Sequence, residues 1–183
     1  MTTPKIGFIC ASLRKDSINK CLENALRQRF KAAGVSTSII DLAEYELPLF
    51  HGDIELPATV KNLVMTLLEF DGLVIVSPEY NGGLPPLLKN TIDWTSTFGT
   101  QHFTQPVYGI ASCTPGAMSG IMCMRQINYI LMRLGAEVLP VQVGVGNAAV
   151  AFDEDGHLVE GRSLDLADKM IAAMIKRIEQ KSA

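Results

Sequence analysis

The stretch VIVSPEYNGGLPPLLKNTIDW, residues 74–94, changes abruptly from an apolar run to a loop rich in proline and glycine, and then to a helical pattern. The run 72–77 is apolar at successive positions, which is typical of a strand buried on both faces of a parallel sheet. A connection that only turns the chain is shorter and has no use for a tyrosine. The stretch therefore predicts a central strand that ends in a binding loop.

Outward from this loop, strand-like and helix-like patterns alternate along the chain. The predicted strands are residues 5–10, 36–42, 72–77, 106–112 and 136–144. The predicted helices are residues 17–33, 56–70, 86–96, 119–134 and 163–180, with Ser163 as the N-cap of the last one. Five strands that alternate with five helices predict an α/β fold, in which a parallel sheet lies between two helical layers. Since we find no internal repeat and no linker, we expect residues 1–183 to form a single domain.

Composition and charge argue against several classes of protein. The chain is 48% hydrophobic and has a net charge of -3, whereas a nucleic-acid surface requires clustered Lys and Arg. No apolar run approaches the ~18 residues of a membrane helix, and residues 6–13 lack the flanks of a signal peptide. Cysteines and histidines lie far apart without a CxxC pair, so we expect no metal site. Free thiols favour a cytoplasmic location.

Ligands of open parallel sheets bind at the carboxyl ends of strands, where the strand order reverses. After the first strand comes ASLRKDSIN, residues 11–19, which offers the polar side chains of Ser12, Arg14, Ser17 and Asn19. These residues precede or open a helix whose N-terminus favours an anion, and an arginine can bind phosphate through two hydrogen bonds. The alternative is an ordinary loop in which Ser17 caps the helix. Neither a GxGxxG fingerprint nor a Walker loop is present.

The loop after the third strand combines stiff and permissive residues. Tyr80 presents a flat ring, and Gly82 and Gly83 permit close approach of the backbone to a planar ligand. The alternative is that Tyr80 is a surface aromatic in a stiff turn. Glu79 could be a general acid or base, or merely a solvated carboxylate.

The loop after the fourth strand, SCTPGAMSG (residues 112–120), could close over the other edge of a flat ring. Nothing nearby in sequence would lower the pKa of its Cys113 to that of a reactive thiol.

Together these three loops resemble the flavodoxin-like NAD(P)H-dependent FMN reductase family, which includes chromate, quinone and azo-dye reductases. The family pattern is G-S-x-R-x-x-S-x-N after strand 1, P-E-Y-N after strand 3 and a Ser/Gly-rich loop after strand 4. The resemblance covers nearly the whole chain. This sequence departs from the pattern in having Ala11 for the usual Gly and a segment GGLPP (82–86) richer in Gly and Pro, and its third loop aligns only loosely.

The resemblance implies a flavodoxin-like three-layer sandwich with a five-stranded parallel sheet of order 2-1-3-4-5. It also implies a flavin site. Ser12, Arg14, Ser17 and Asn19 match positions that hold the FMN phosphate and ribityl chain. The isoalloxazine ring would lie along Pro78, Glu79, Tyr80 and Asn81, and Ser112 and Gly116 match the third loop. Partner subunits are implied as well, because members of the family form dimers or tetramers.

The implied activity is that of an FMN-dependent NAD(P)H oxidoreductase. NAD(P)H reduces the flavin and leaves, and a small-molecule acceptor then occupies the same face; quinones, azo dyes, metal oxyanions and free flavin are the candidates. No catalytic side chain is required, because the flavin carries the chemistry. One alternative is a non-catalytic FMN-binding electron carrier or redox sensor, although such carriers are usually strongly acidic. A second is a receiver-like domain, but residues 10–14 lack the acidic cluster that it needs.

The predicted helix 119–134 has more apolar surface than one sheet can cover. One stripe suits the sheet, and a second consists of Ile121, Met122, Tyr129 and Met132. Contiguous exposed apolar patches usually mark contacts between proteins. The second stripe therefore predicts a homodimer or homotetramer. The alternative is that residues 98–104 or the C-terminal segment cover the stripe within one chain.

Overall fold

The computed structural model describes residues 3–159 and 161–182. Its strands are β1 (Lys5–Cys10), β2 (Ser36–Ile39), β3 (Gly72–Val76), β4 (Val107–Cys113), β5 (Glu137–Val138) and β6 (Val143–Val145). They form one parallel sheet in the order β2-β1-β3-β4-β5, with β6 also paired to β4. The flavodoxin-like strand order predicted from the sequence is confirmed.

Helices cover both faces of the sheet because its central strands alternate their side chains between them. The helices are α1 (Ile18–Ala32), α2 (Ala58–Leu67), α3 (Pro86–Thr97), α4 (Gln101–Thr104), α5 (Ile121–Arg133) and α6 (Arg162–Lys181). In β3, Val74 and Val76 pack with α1 and α6, whereas Leu73 and Ile75 pack with α2, α3 and α5. None of the described helices is long and apolar enough to cross a membrane.

The predicted strand 136–144 is wrong as a continuous element. It is divided at Pro140, which has no N–H to donate to a neighbouring strand. β5 pairs with Val107 and Tyr108 at the start of β4, and β6 pairs with Ala111–Cys113 at its end. The fifth position of the sheet is therefore filled by two short strands.

The predicted cap of the last helix is also wrong. α6 begins at Arg162 after Gly161, and Ser163 lies inside its first turn. The Ser163 hydroxyl donates instead to the Gly144 carbonyl, at 3.0 Å. Ser163 thus fixes α6 to the strand β6 that it covers.

Several charged contacts lie at the amino edge of the sheet, where its strands begin. Arg177 on α6 pairs with Glu137 at the start of β5, and the Lys181 ammonium lies 3.6 Å from the same carboxylate. The Lys5 backbone N–H at the start of β1 donates to the Asp71 carboxylate at 2.8 Å. These contacts lie at the edge opposite to the loops that the sequence singles out for binding.

Candidate functional site

A cleft of about 190 Å³ lies at the carboxyl ends of β1, β3 and β4. Its walls are the two loops that the sequence predicts, and its third side is the end of β4 with the residues after it. The lining residues are Ser12, Arg14, Ser17, Ile18, Asn19, Pro78, Glu79, Tyr80, Cys113, Thr114 and Pro115. The fold thus brings together residues more than 90 positions apart in sequence, as the strand order requires.

The loop after β1 forms an anion-attracting wall. Ser12 and Ser17 are buried, and Arg14 is exposed at the mouth. Ser17 is the N-cap of α1, since its Oγ accepts a hydrogen bond from the Asn19 backbone N–H at 3.2 Å. A capping hydroxyl still has its own proton to donate. Ser17 can therefore cap the helix and bind a ligand at once, so its capping role does not exclude the binding role.

Asn19 has a structural task in addition to lining the cleft. Its Nδ2 donates to the Cys113 carbonyl at 3.0 Å, and its Oδ1 accepts from the Cys113 N–H at 2.9 Å. The side chain is buried, and these bonds join the start of α1 to the end of β4. Asn19 thus fixes the distance between two walls of the cleft.

The loop after β3 is a tight turn that presents Tyr80. Tyr80 and Gly83 exchange two backbone hydrogen bonds, each 3.0 Å long. Between them, Asn81 and Gly82 have φ values of 51° and 74°, as both central residues of a type I′ turn require. Asn81 lies at the exposed tip, outside the cleft lining, whereas Tyr80 lines the cleft and remains 48% exposed.

The Glu79 carboxylate reaches the N-terminus of α5. Its Oε2 accepts hydrogen bonds from the backbone N–H groups of Met122 and Cys123, each 3.0 Å long. The N-cap residue of α5, Gly120, has no side chain for this purpose. Glu79 therefore caps α5 from a distant loop, an arrangement that none of the sequence-based interpretations of this carboxylate included.

The third loop differs from the prediction in detail. Ser112 and Gly116 do not line the cleft; Cys113, Thr114 and Pro115 do. Ser112 is fully buried beneath α5, where its Oγ has no hydrogen-bond partner among the described residues. A Cβ on Gly120 would lie only 1.9 Å from that oxygen, so the N-cap residue of α5 lies directly against Ser112. Successive side chains of a strand point to opposite faces of the sheet. Ser112 therefore faces α5, and the next residue along the strand, Cys113, lines the cleft.

Neither a reactive thiol nor a metal centre is supported by the cleft geometry. Cys113 is 1% exposed, and burial raises the pKa of its thiol to about 12, which keeps it protonated at neutral pH. Within residues 3–159 and 161–182, no group of three or more His, Cys, Asp or Glu side chains is placed to hold a metal ion. The cleft instead presents a guanidinium and a helix N-terminus, which favour an anion, beside the exposed ring of Tyr80.

Comparison with known proteins identifies the family to which this chain belongs. Residues 4–150 match the family described as NADPH-dependent FMN reductase. A quinone reductase of Escherichia coli strain K12 is 33% identical over 139 residues, which are 74% of this chain and 73% of that protein. An NAD(P)H-dependent FMN reductase of Pseudomonas aeruginosa is 26% identical over 175 residues, 93% of this chain and 92% of that protein.

A solved structure shows the same fold. FerB, a flavoenzyme NAD(P)H:(acceptor) oxidoreductase from Paracoccus denitrificans, has a TM-score of 0.83 to this chain at 21% identity, covering 97% of this chain and 98% of its own. The fold likeness and the match over residues 4–150 point the same way. The chain therefore belongs to the NADPH-dependent FMN reductase family of oxidoreductases, which has FMN as its cofactor and NAD(P)H as its co-substrate.

Proposed function

We propose that this protein is an FMN-dependent NAD(P)H oxidoreductase that passes electrons to quinones by a ping-pong mechanism. The observation that carries the proposal is the cleft in which the anion-attracting loop of Arg14 faces the Tyr80 turn. The similarity to a bacterial quinone reductase supports the acceptor class. Azo dyes, metal oxyanions and free flavin are further acceptors in the same proposal.

The residues that line the cleft support FMN as its ligand. Ser12, Arg14 and the N-terminus of α1 would bind its phosphate, because they supply hydroxyl, guanidinium and helix-dipole interactions on one wall. The segment from Pro78 to Tyr80 would lie along its ring. When bound, FMN supplies the two-electron chemistry that links NAD(P)H to the acceptor. The chain binds and orients the reactants, and we propose no catalytic side chain.

Tyr80 supports an aromatic acceptor. About half of its surface is exposed at the mouth of the cleft, where it provides an aromatic face next to the proposed ring position. Aromatic side chains bind flat rings by offset stacking or edge-to-face contact. A quinone is flat and largely apolar, so its chemistry matches this surface.

The test is anaerobic reduction followed by reoxidation. Protein loaded with FMN is mixed with NADH or NADPH in a stopped-flow instrument, and the loss of the yellow flavin absorbance is recorded. We expect bleaching with at least one nucleotide, and a second addition of 1,4-benzoquinone should restore the colour. A protein that stays yellow with both nucleotides but cycles with a chemical reductant would instead be an electron carrier or redox sensor.

We also propose that the protein works as a homodimer or homotetramer. On α5, Ile121, Met122, Tyr129 and Met132 are exposed, and the last two are 71% and 61% accessible. Neither residues 98–104 nor the described part of the C-terminal segment covers this apolar face. A second copy of the chain would remove it from water.

Domain organisation and location complete the proposal. Residues 1–183 would form one FMN-binding domain, consistent with the likeness to FerB over almost all of both chains. The protein would act in the cytoplasm on small molecules, without nucleic acid or membrane. The four cysteines, Cys10, Cys21, Cys113 and Cys123, are all free thiols, which suits a reducing compartment.

A further inference from the structure

We propose that Glu79 and Gln126 are positioning residues that hold the Tyr80 turn in its flavin-binding conformation before the flavin arrives. The inference rests on the proposed function, because the turn is the part of the cleft assigned to the flavin ring. The turn would be held on both sides by α5, a helix that does not itself line the cleft. Such an arrangement would lower the entropic cost of ordering the turn when the flavin binds.

The first connection enters the turn from its N-terminal side. Glu79 immediately precedes Tyr80, and its carboxylate accepts from two backbone N–H groups of the first turn of α5. The Cys123 thiol of that helix turn also donates to the Pro78 carbonyl, at 3.2 Å. Hydrogen bonds to a charged acceptor are stronger than neutral ones, and the helix dipole adds to them. The chain is therefore fixed immediately before Tyr80.

The second connection holds the C-terminal side of the turn. Gln126, one helical turn further along α5, accepts from the Leu84 N–H at 3.1 Å and donates to the Gly82 carbonyl at 3.3 Å. Gly83 leaves room for it, because a Cβ there would lie 3.1 Å from Gln126 Oε1. One side chain thus binds the backbone on both sides of Gly83.

The turn needs such support because little else fixes it. Asn81 and Gly82 are exposed, both have positive φ, and glycine loses more conformational freedom on ordering than any other residue. Within the turn only the two bonds between Tyr80 and Gly83 hold the backbone. Exposed loops of this composition open easily unless their flanks are tied down. Glu79 and Gln126 supply those ties.

Amide hydrogen exchange, measured residue by residue in the flavin-free protein, tests the connection directly. The informative amides are those of Tyr80 and Gly83, because the N–H of each donates to the carbonyl of the other residue and neither donates to Gln126. In Gln126→Ala and Glu79→Ala we expect both amides to exchange about tenfold faster, the effect of losing roughly one net hydrogen bond. Glu79→Gln keeps a carbonyl acceptor and should restore part of the protection. Gln28→Ala on α1 and Glu69→Ala after α2 are matched controls that should change neither amide.

Ligand affinity separates a positioning role from general destabilisation. Gln126→Ala should weaken FMN and riboflavin binding by the same factor, about tenfold, because the turn is assigned to the ring that both ligands share. The control variants should bind both ligands like the wild type. Unchanged exchange at Tyr80 and Gly83 would overturn the proposal, and so would faster exchange with unchanged affinity. If the wild type binds neither ligand while the variants still exchange faster, the connection stands and the proposed flavin function fails.

Discussion

The side-chain amide of Asn19 and the backbone of Cys113, 94 residues apart, form a reciprocal pair of hydrogen bonds of 3.0 and 2.9 Å. Both partners are buried, so removal of the amide would leave a buried N–H and a buried C=O without partners. We expect Asn19→Ala to lower the free energy of unfolding by about 2–6 kcal/mol, since each of the two unsatisfied buried groups costs roughly 1–3 kcal/mol. Urea denaturation of the flavin-free protein measures this. A loss confined to flavin affinity would contradict the structural role.

Arg14 should matter for the phosphate and for little else. We expect Arg14→Ala to weaken FMN binding by ~1.5–3 kcal/mol, the range for a hydrogen bond to a charged group. Riboflavin lacks the phosphate and should bind nearly as before. Titration calorimetry with both ligands measures the difference, and Lys15→Ala, which removes a neighbouring exposed cation outside the cleft lining, is the control. Equal losses for the two ligands would show that Arg14 acts on the fold.

Tyr80 should affect the flavin reaction without affecting stability. Because its side chain is half exposed at a strand end, Tyr80→Ala should leave the melting temperature of the flavin-free protein almost unchanged. Flavin affinity or the rate of reoxidation by a quinone should change, and Tyr80→Phe, which keeps the ring, should retain most of the wild-type behaviour. A large fall in melting temperature would mean that the tyrosine is a structural part of a stiff turn.

His102 should make the protein sensitive to acid. It is 1% exposed, its ring nitrogens have no hydrogen-bond partner among the described residues, and burial lowers its pKa from 6.5 to about 4. The unfolded chain therefore binds a proton more readily than the folded one between these values. Stability should fall as the pH drops from 6.5 to 4, by about 1.4 kcal/mol per pH unit from this group, and should not depend on it above 6.5.

The contribution of His102 is isolated by comparison with a variant. His102→Leu removes the titrating ring while keeping an apolar side chain of similar size. Chemical denaturation at several pH values should give a shallower acid decline in stability for this variant than for the wild type. Parallel curves for wild type and His102→Leu would contradict the assignment.

The exposed face of α5 predicts the oligomeric state. At micromolar concentration we expect sedimentation to give a mass at least twice the 19.9 kDa of one chain. Met122→Lys with Met132→Lys should lower the mass, because charges on this face oppose its burial. Met65→Lys, at an exposed methionine on α2, is the matched control. A monomeric mass that does not change on the double substitution would contradict the prediction.

Apolar runs predicted the alternating strands and helices and the loops that form the cleft because those features depend on local sequence, whereas the strand order was implied by the resemblance to a known family. The run 72–77 is apolar at successive positions, which is typical of a central strand. Ligands of this fold bind where the strand order reverses. The contacts made by Glu79 and Gln126 could not be predicted, since their partners lie 42 to 44 residues away and nothing local marks them. Serine is a preferred N-cap residue, yet the Ser163 hydroxyl donates to the carbonyl of Gly144, a partner distant in sequence.

The charged contacts at the amino edge of the sheet have a consequence for how this chain can diversify. Glu137, Arg177 and Lys181 join α6 to the sheet at the end remote from the cleft. Lys5 and Asp71 connect the starts of neighbouring strands there. Substitutions in the loops at the carboxyl edge leave those contacts intact, and sites far apart usually contribute independently to stability. We therefore expect that the Tyr80 turn or the loop after β4 can be exchanged without loss of the stability that the amino edge supplies.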